Sequence, residues 1–269
     1  PTSRPLTPAP LRNIANLFAL SMLARARGAA LLLLQACTMA ALTNKPTLHY
    51  FGILGRGEPI RMTFAAAGVA FDETPIDFAS MKAEAGTSTS LFGQAPMLDV
   101  EGVRLSQMSA IMKYVAAASK PALLGGDTPL ARASVDMLMN SVDDLYLKYI
   151  DCVYGQQLSD EGKEKLWAAH YAISSATERN GGAHLSYLVG YLKRSGGPFL
   201  CGPSCTIADI FFYFTLEAFC RDQCFGGKVC ETYPELSAYM SACAAVPGLK
   251  ERLADPARAA LDFNGNGQG

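Results

Sequence analysis

The sequence predicts two patterned parts in series, a small α/β unit followed by an all-α unit. Three observations carry that reading. Strand-length apolar runs and a two-residue turn signal are confined to residues 46–120. Apolar residues at spacings of three and four fill residues 128–262. Between them stands Pro121-Ala-Leu-Leu-Gly-Gly126, where neither pattern holds. The chain has 269 residues, half of them hydrophobic, enough to bury a core. Its 24 acidic and 23 basic side chains leave a net charge of −1, without the basic excess of a nucleic-acid binder. No long apolar run free of charge predicts a membrane span.

The elements follow in order. Residues 47–51 form a strand, and Gly52-Ile-Leu-Gly-Arg-Gly57 a glycine-rich turn. Pro59 near its start and Gly68 just past its end bracket the first helix. Residues 71–78 fit a second strand, and 79–91, small and polar, a loop with one helical turn. Glu101-Gly102 joins strands 97–100 and 103–105 as a hairpin. A helix then spans about 107–118. In the second part, Thr128 caps a long helix with Pro129 at its first position. Helices over 161–179 and 184–194 follow. Thr206 and Asp209 form a capping-box start for an apolar helix through Phe219, expected at the buried centre. Residues 236–245 and 248–253 complete the set. No internal repeat is present.

Residues 1–45 stand apart as an extension. They contain no Asp or Glu but carry Arg4, Arg12, Arg25, Arg27 and Lys45. That composition resembles an organelle transit peptide, and the apolar run from Gly28 to Leu42 also resembles a secretory signal. Met39 offers an alternative start, and a disordered or removed leader is the simplest reading of the segment. None of the eight cysteines forms a C-x-x-C pair, and none is spaced with His49, His170 or His184 as a zinc site requires. The thiols are expected to be reduced and structural, with Cys220 and Cys224 on one helical face, in a cytoplasmic setting.

Three features of the first part bear on chemistry. Tyr50 ends the opening strand and faces the glycine-rich turn, where a phenol can donate to a bound anion. Gln94-Ala95-Pro96 precedes a strand, a setting for a cis proline that presents backbone groups to a ligand. Gln107-Met108-Ser109 enters a helix whose free N–H groups and dipole favour an anion. Each alone is more simply a core tyrosine, a trans proline and a cap. Their order along one unit is what raises them above that.

These stretches together resemble the cytosolic glutathione transferases, in particular the sigma-like class. The matching segments are Leu48-His-Tyr-Phe-Gly-Ile-Leu-Gly-Arg-Gly-Glu-Pro-Ile-Arg61, Phe92-Gly-Gln-Ala-Pro-Met-Leu-Asp-Val-Glu-Gly102 and Gln107-x-x-Ala-Ile-x-Lys-Tyr114. Val135-Asp136, Val142-Asp-Asp144 and Phe199-Leu-Cys-Gly-x-x-Cys-Thr-Ile-Ala-Asp209 match in the second part. The resemblance covers about residues 46–255. It implies a thioredoxin-like N-terminal domain over 46–120, an all-helical domain over 128–262, and a homodimer. It implies glutathione as co-substrate without a metal, with Tyr50 on the sulfur and Arg56 tuning it. Phe51, Gln94, Ala95, Pro96, Gln107, Met108 and Ser109 would contact the tripeptide. Asp136 would reach the partner subunit's glutathione.

The sequence departs from the family in two places. Met108 stands where the pattern has serine, so one bond to the γ-glutamyl carboxylate is missing or supplied differently. The loop before the third strand lacks the usual Trp and Lys, leaving Lys82 as the candidate. The resemblance implies conjugation of the glutathione thiolate to small hydrophobic electrophiles, a detoxifying transfer. Phe51 to Leu54 would wall the second substrate, and Tyr146 and Tyr149 either join that wall or are simple core. The alternatives are a non-catalytic structural or assembly subunit and a prostaglandin-type isomerase. A dinucleotide fold is excluded because Gly52-x-x-Gly55-x-Gly57 is not G-x-G-x-x-G, and a dithiol redox enzyme because no cysteine pair follows the first strand.

Overall fold

The computed structural model describes residues 44–268. The expected extension and its targeting role lie almost wholly outside these residues. A four-stranded sheet has the order β2-β1-β3-β4, from β1 (Thr47–Tyr50), β2 (Asp72–Pro75), β3 (Met97–Val100) and β4 (Val103–Ser106). β1 runs parallel to β2 and antiparallel to β3, which pairs antiparallel with β4. Pro75 is tolerated because β2 is an edge strand. Glu101 and Gly102 both have positive φ, 50° and 78°, as a tight hairpin with right-handed strand twist demands.

Burial alternates along β1. Leu48 and Leu98 face α1 (Glu58–Ala67) and α3 (Met108–Ser119), and all are buried with Ile60, Phe64, Ile111 and Val115. Pro59 opens α1, and Gly68, at φ 71°, closes it in the left-handed conformation. The loop expected over 79–91 begins as a short helix, α2 (Phe78–Ala83), capped by Asp77, whose carboxylate accepts the Ser80 N–H at 2.9 Å.

Beyond residue 120 every named element is helical. α4 (Pro129–Gly155) has 27 residues and is capped by Thr128, whose hydroxyl accepts the Ala131 N–H at 3.1 Å. α5 (Asp160–His170) and α6 (Leu185–Arg194) follow, then α7 (Ile207–Phe219). Four short helices end the chain: α8 (Lys228–Thr232), α9 (Glu235–Ala244), α10 (Leu249–Leu253) and α11 (Pro256–Ala259). α7 is the buried centre, with Phe211, Phe212, Phe214 and Phe219 at 0 % exposure. Asp209 accepts the Thr206 and Leu200 N–H groups at 2.8 and 2.7 Å, and the Tyr239 hydroxyl at 3.1 Å. Burial pushes its carboxyl up, against the pull of these donors.

Two expectations are corrected here. The helix expected over 161–179 stops at His170, where the small and polar residues 172–182 turn back and the Ala183 carbonyl meets His170 Nδ1 at 2.6 Å. Cys220 and Cys224 do not share a helical face, because α7 ends at Phe219 and the Phe225 N–H folds back onto the Phe219 carbonyl. The seven described cysteines are free thiols. No helix among the described residues is long and apolar enough to cross a membrane.

One buried carboxylate links the two parts. Glu58, at 0 % exposure, accepts from Arg252 at 2.7 and 3.0 Å and from Arg258 at 2.8 Å. It also lies 3.4 Å from Arg61. Arg258 continues to Glu217 on α7.

Candidate active site

A cavity of about 370 Å³ opens beside the C-terminal end of β1. The cis Ala95–Pro96 bond forms one corner, with Gly93 and Gln94 before it. Gln107 forms the next wall. Its φ of 73° bends the chain between β4 and α3, so Ser106, Gln107 and Met108 all stand in the same cavity. The Gln107 amide donates to the Gln94 side-chain carbonyl at 3.3 Å. Because α3 starts at Met108, its first N–H groups lack partners within the helix, and its positive dipole end lies at this wall.

Phe51 and Phe78 supply an aromatic edge, with ring centroids 6.4 Å apart. Lys82 of α2 also lines the cavity, and no carboxylate pairs with it among the described residues. The helical part contributes Asp143 and Leu147 of α4. Arg56 bridges the two sides. Its guanidinium lies 2.8 Å from Asp143 Oδ1 and 5.2 Å from the Tyr146 ring centroid.

Tyr50 sits behind this wall. Its ring packs into the glycine-rich turn, where a Cβ at Gly57 would lie 2.3 Å from the ring and one at Gly55 2.5 Å from the hydroxyl. Only glycine permits that approach. The hydroxyl accepts the Arg56 backbone N–H at 2.8 Å, and its own proton has no acceptor among the described residues. The residue is 5 % exposed and does not itself line the cavity, whereas Phe51 and Arg56 on either side of it do. Burial pushes the phenol up to about 12, while the Arg56 N–H and the Arg61 charge pull the other way. Tyr50 is therefore a neutral O–H donor at physiological pH.

Phe51, Arg56, Gln94, Ala95, Pro96, Gln107 and Met108 thus meet in one cavity, with Tyr50 one hydrogen bond behind it. Ser109 lies in the first turn of α3 outside the cavity lining. Asp136 is on the exposed side of α4 and pairs with Lys113 at 3.0 Å. Tyr146 and Tyr149, expected either in the wall for the second substrate or in the core, are fully buried and packed on Phe211, Phe214 and Phe219. They belong to the core because α4 turns them toward the apolar α7.

Several residues of the site have no separate signal in the sequence. Arg61, 3 % exposed, donates to the Ile53 carbonyl at 2.8 Å and to Glu73 at 3.0 Å, and lies 5.7 Å from the Tyr50 ring. It fixes the turn from beneath. From above, the Leu54 and Gly55 N–H groups donate to the Asp262 and Phe263 carbonyls at 2.8 and 2.9 Å. Phe263 is held by stacking on Phe214, centroids 4.8 Å apart. No group of three or more His, Cys, Asp or Glu able to hold a metal occurs among the described residues.

A sheet of this order with a cis proline before β3, followed by a helical domain, defines a thioredoxin-like fold joined to an all-α domain. Comparison with known proteins places it further. Residues 46–117 match the family model described as glutathione S-transferase, N-terminal domain, and residues 143–256 the one described as glutathione S-transferase, C-terminal domain. The chain belongs to the glutathione S-transferase family. It is 32 % identical to glutathione S-transferase alpha-1 of Rattus norvegicus over 216 residues, 79 % of this chain and 89 % of that protein. It is 33 % identical to glutathione S-transferase 3 of Gallus gallus over 214 residues, 78 % and 86 % of the two chains. The Pi-class glutathione S-transferase of Onchocerca volvulus shares the fold with a TM-score of 0.66 at 23 % identity, covering 84 % of this chain and all of that one. The Ascaris lumbricoides enzyme superposes with a TM-score of 0.61 at 25 % identity, over 78 % and 97 % of the two chains.

Proposed function

We propose that this chain is a glutathione transferase that joins the glutathione sulfur to small hydrophobic electrophiles. The observation that carries the reading is the single cavity in which Gln94, Ala95, Pro96, Gln107, Arg56 and Lys82 converge at a helix N-terminus. It suits an extended peptide with carboxylates at both ends. The Ala95 backbone beside Pro96 pairs with the peptide, Gln107 and the start of α3 hold the γ-glutamyl end, and Lys82 meets the glycyl carboxylate. Family membership and the relatives named glutathione S-transferase support the same activity.

A free thiol with a pKa near 8.5 is ionised by only a few per cent at pH 7. Lowering it by about two units takes roughly 2.7 kcal/mol. Contact of the Tyr50 O–H with the sulfur is the step this proposal adds. A neutral phenol held by the Arg56 N–H, with the Arg56 and Arg61 cations nearby, is a preorganised donor of that strength. The thiolate attacks the electrophilic carbon, the leaving group departs with its electron pair, and the thiol proton passes to solvent. Arg56 orients the phenol through its backbone.

The sigma-like class, the homodimer, the cytoplasmic setting and the detoxifying role belong to this proposal. The motif stretches support the class, although the relatives above bear alpha and Pi names. Phe92, Leu130 and Met137 are exposed large apolar side chains, of the kind that a second copy would cover. The test is retention on immobilised glutathione followed by chloronitrobenzene conjugation, for the wild type and Tyr50→Phe. The variant is expected to bind but turn over about 10²-fold more slowly. Equal turnover removes Tyr50 from the chemistry. Failure of the wild type to bind glutathione removes the transferase reading in favour of a structural subunit.

A further inference from the structure

Met108 opens α3 at the cavity wall without a hydroxyl, but the cavity lining holds one. Ser106, the last residue of β4, pairs across the hairpin with Met97, directly after the cis proline, and lines the same cavity as Gln107. It is nine-tenths buried, and its Oγ has no hydrogen-bond partner. Buried hydroxyls are seldom left unpaired, since each one has given up its bonds to water.

Two residues of the cavity wall carry such an atom among the described residues. The other, Asp143, has its charge answered by Arg56 at 2.8 Å. Ser106 has nothing. Successive strand residues normally point to opposite faces, yet the positive φ of Gln107 bends the chain and leaves residues 106 and 107 in one wall.

We infer that Ser106 is a glutathione-specificity residue, whose hydroxyl donates to the γ-glutamyl α-carboxylate at the start of α3. The inference rests on the glutathione reading above. A turn of the hydroxyl toward the ligand then gives a partner to an atom that the protein leaves without one, and a charged acceptor makes that bond stronger than a neutral one.

The test measures binding of glutathione, and of an analogue lacking only the γ-glutamyl α-carboxylate, to the full chain. The wild type, Ser106→Ala and Ser106→Thr are compared. For glutathione, Ser106→Ala is expected to raise Kd and KM about tenfold, with a much smaller change in kcat, and Ser106→Thr to recover most of the loss. For the analogue, wild type and Ser106→Ala should bind alike. The Tm of Ser106→Ala should equal or exceed that of the wild type, because a bare buried hydroxyl has been removed. Equal glutathione binding by wild type and Ser106→Ala overturns the inference while leaving the transferase intact. An equal loss for glutathione and analogue also overturns it, by assigning Ser106 a merely structural part. A wild type that binds neither ligand overturns the transferase reading itself.

Discussion

The two halves of the molecule use buried aromatic and polar groups to opposite ends. In the sheet-bearing half, Tyr50 is buried with its hydroxyl addressed by a backbone N–H, and its neighbours open onto a cavity. In the helical half, Tyr146 is equally buried, its hydroxyl has no partner, and its ring packs in an aromatic core. Twelve of the fourteen cavity residues precede residue 120, and only Asp143 and Leu147 come from the helices. The comparison teaches that here the first half lines the cavity while the second packs into a core. A residue type alone does not distinguish the two roles. What surrounds its polar atom does.

The comparison can be broken most forcefully at its joint. Glu58→Gln leaves Arg252 and Arg258 buried without their full countercharge, and a loss of roughly 3–5 kcal/mol is expected. Denaturant unfolding checks it. A loss near zero would mean the two halves do not depend on this carboxylate. Next in size is the 10²-fold effect of Tyr50→Phe on turnover, about 2.7 kcal/mol of barrier. It should come with little change in Tm, because the ring that fills the glycine turn remains.

Alkaline titration sharpens the contrast further. A phenol whose folded value is about 12, against 10 when unfolded, adds stability in full below pH 10 and loses it as pH rises toward 12. The tyrosinate absorbance difference between wild type and Tyr50→Phe should therefore appear near pH 12. A step near 10 or below would show that Tyr50 is solvated or strongly stabilised as its anion. The smallest effect is that of Tyr146→Phe. Removing an unpartnered hydroxyl while keeping the ring should leave Tm unchanged or raise it by about 1 kcal/mol equivalent. A clear fall in Tm would assign that hydroxyl a partner.

Much of this architecture is legible in local chemistry. Pro59 and Gly68 bound α1, Thr128 caps α4, and Asp209 serves the start of α7, because caps act within a few residues of themselves. Glu101-Gly102 marks its hairpin for the same reason. Within the site, Gln94, Pro96 and Gln107 are readable because backbone departures gather near them. Asp143 and Ser106 are not readable. Periodicity tells which face of α4 is apolar but not which acidic residue on its rim meets an arginine 87 positions earlier. An unpartnered hydroxyl is a property of its surroundings, and those are set by tertiary packing. Glu58 and Arg258, 200 residues apart, carry no mutual mark in the chain at all.

The glycine-rich turn completes its hydrogen bonds with Asp262 and Phe263, which lie more than two hundred residues downstream. A ribosome makes the turn long before its clasp. A nascent chain halted before residue 262 can hold its sheet and most of its helices, yet the loop that presents the Arg56 N–H to Tyr50 is still unfastened. The shape of the turn is thereby tied to synthesis of residues 262 and 263, and translation products that stop short of them should lack its clasp.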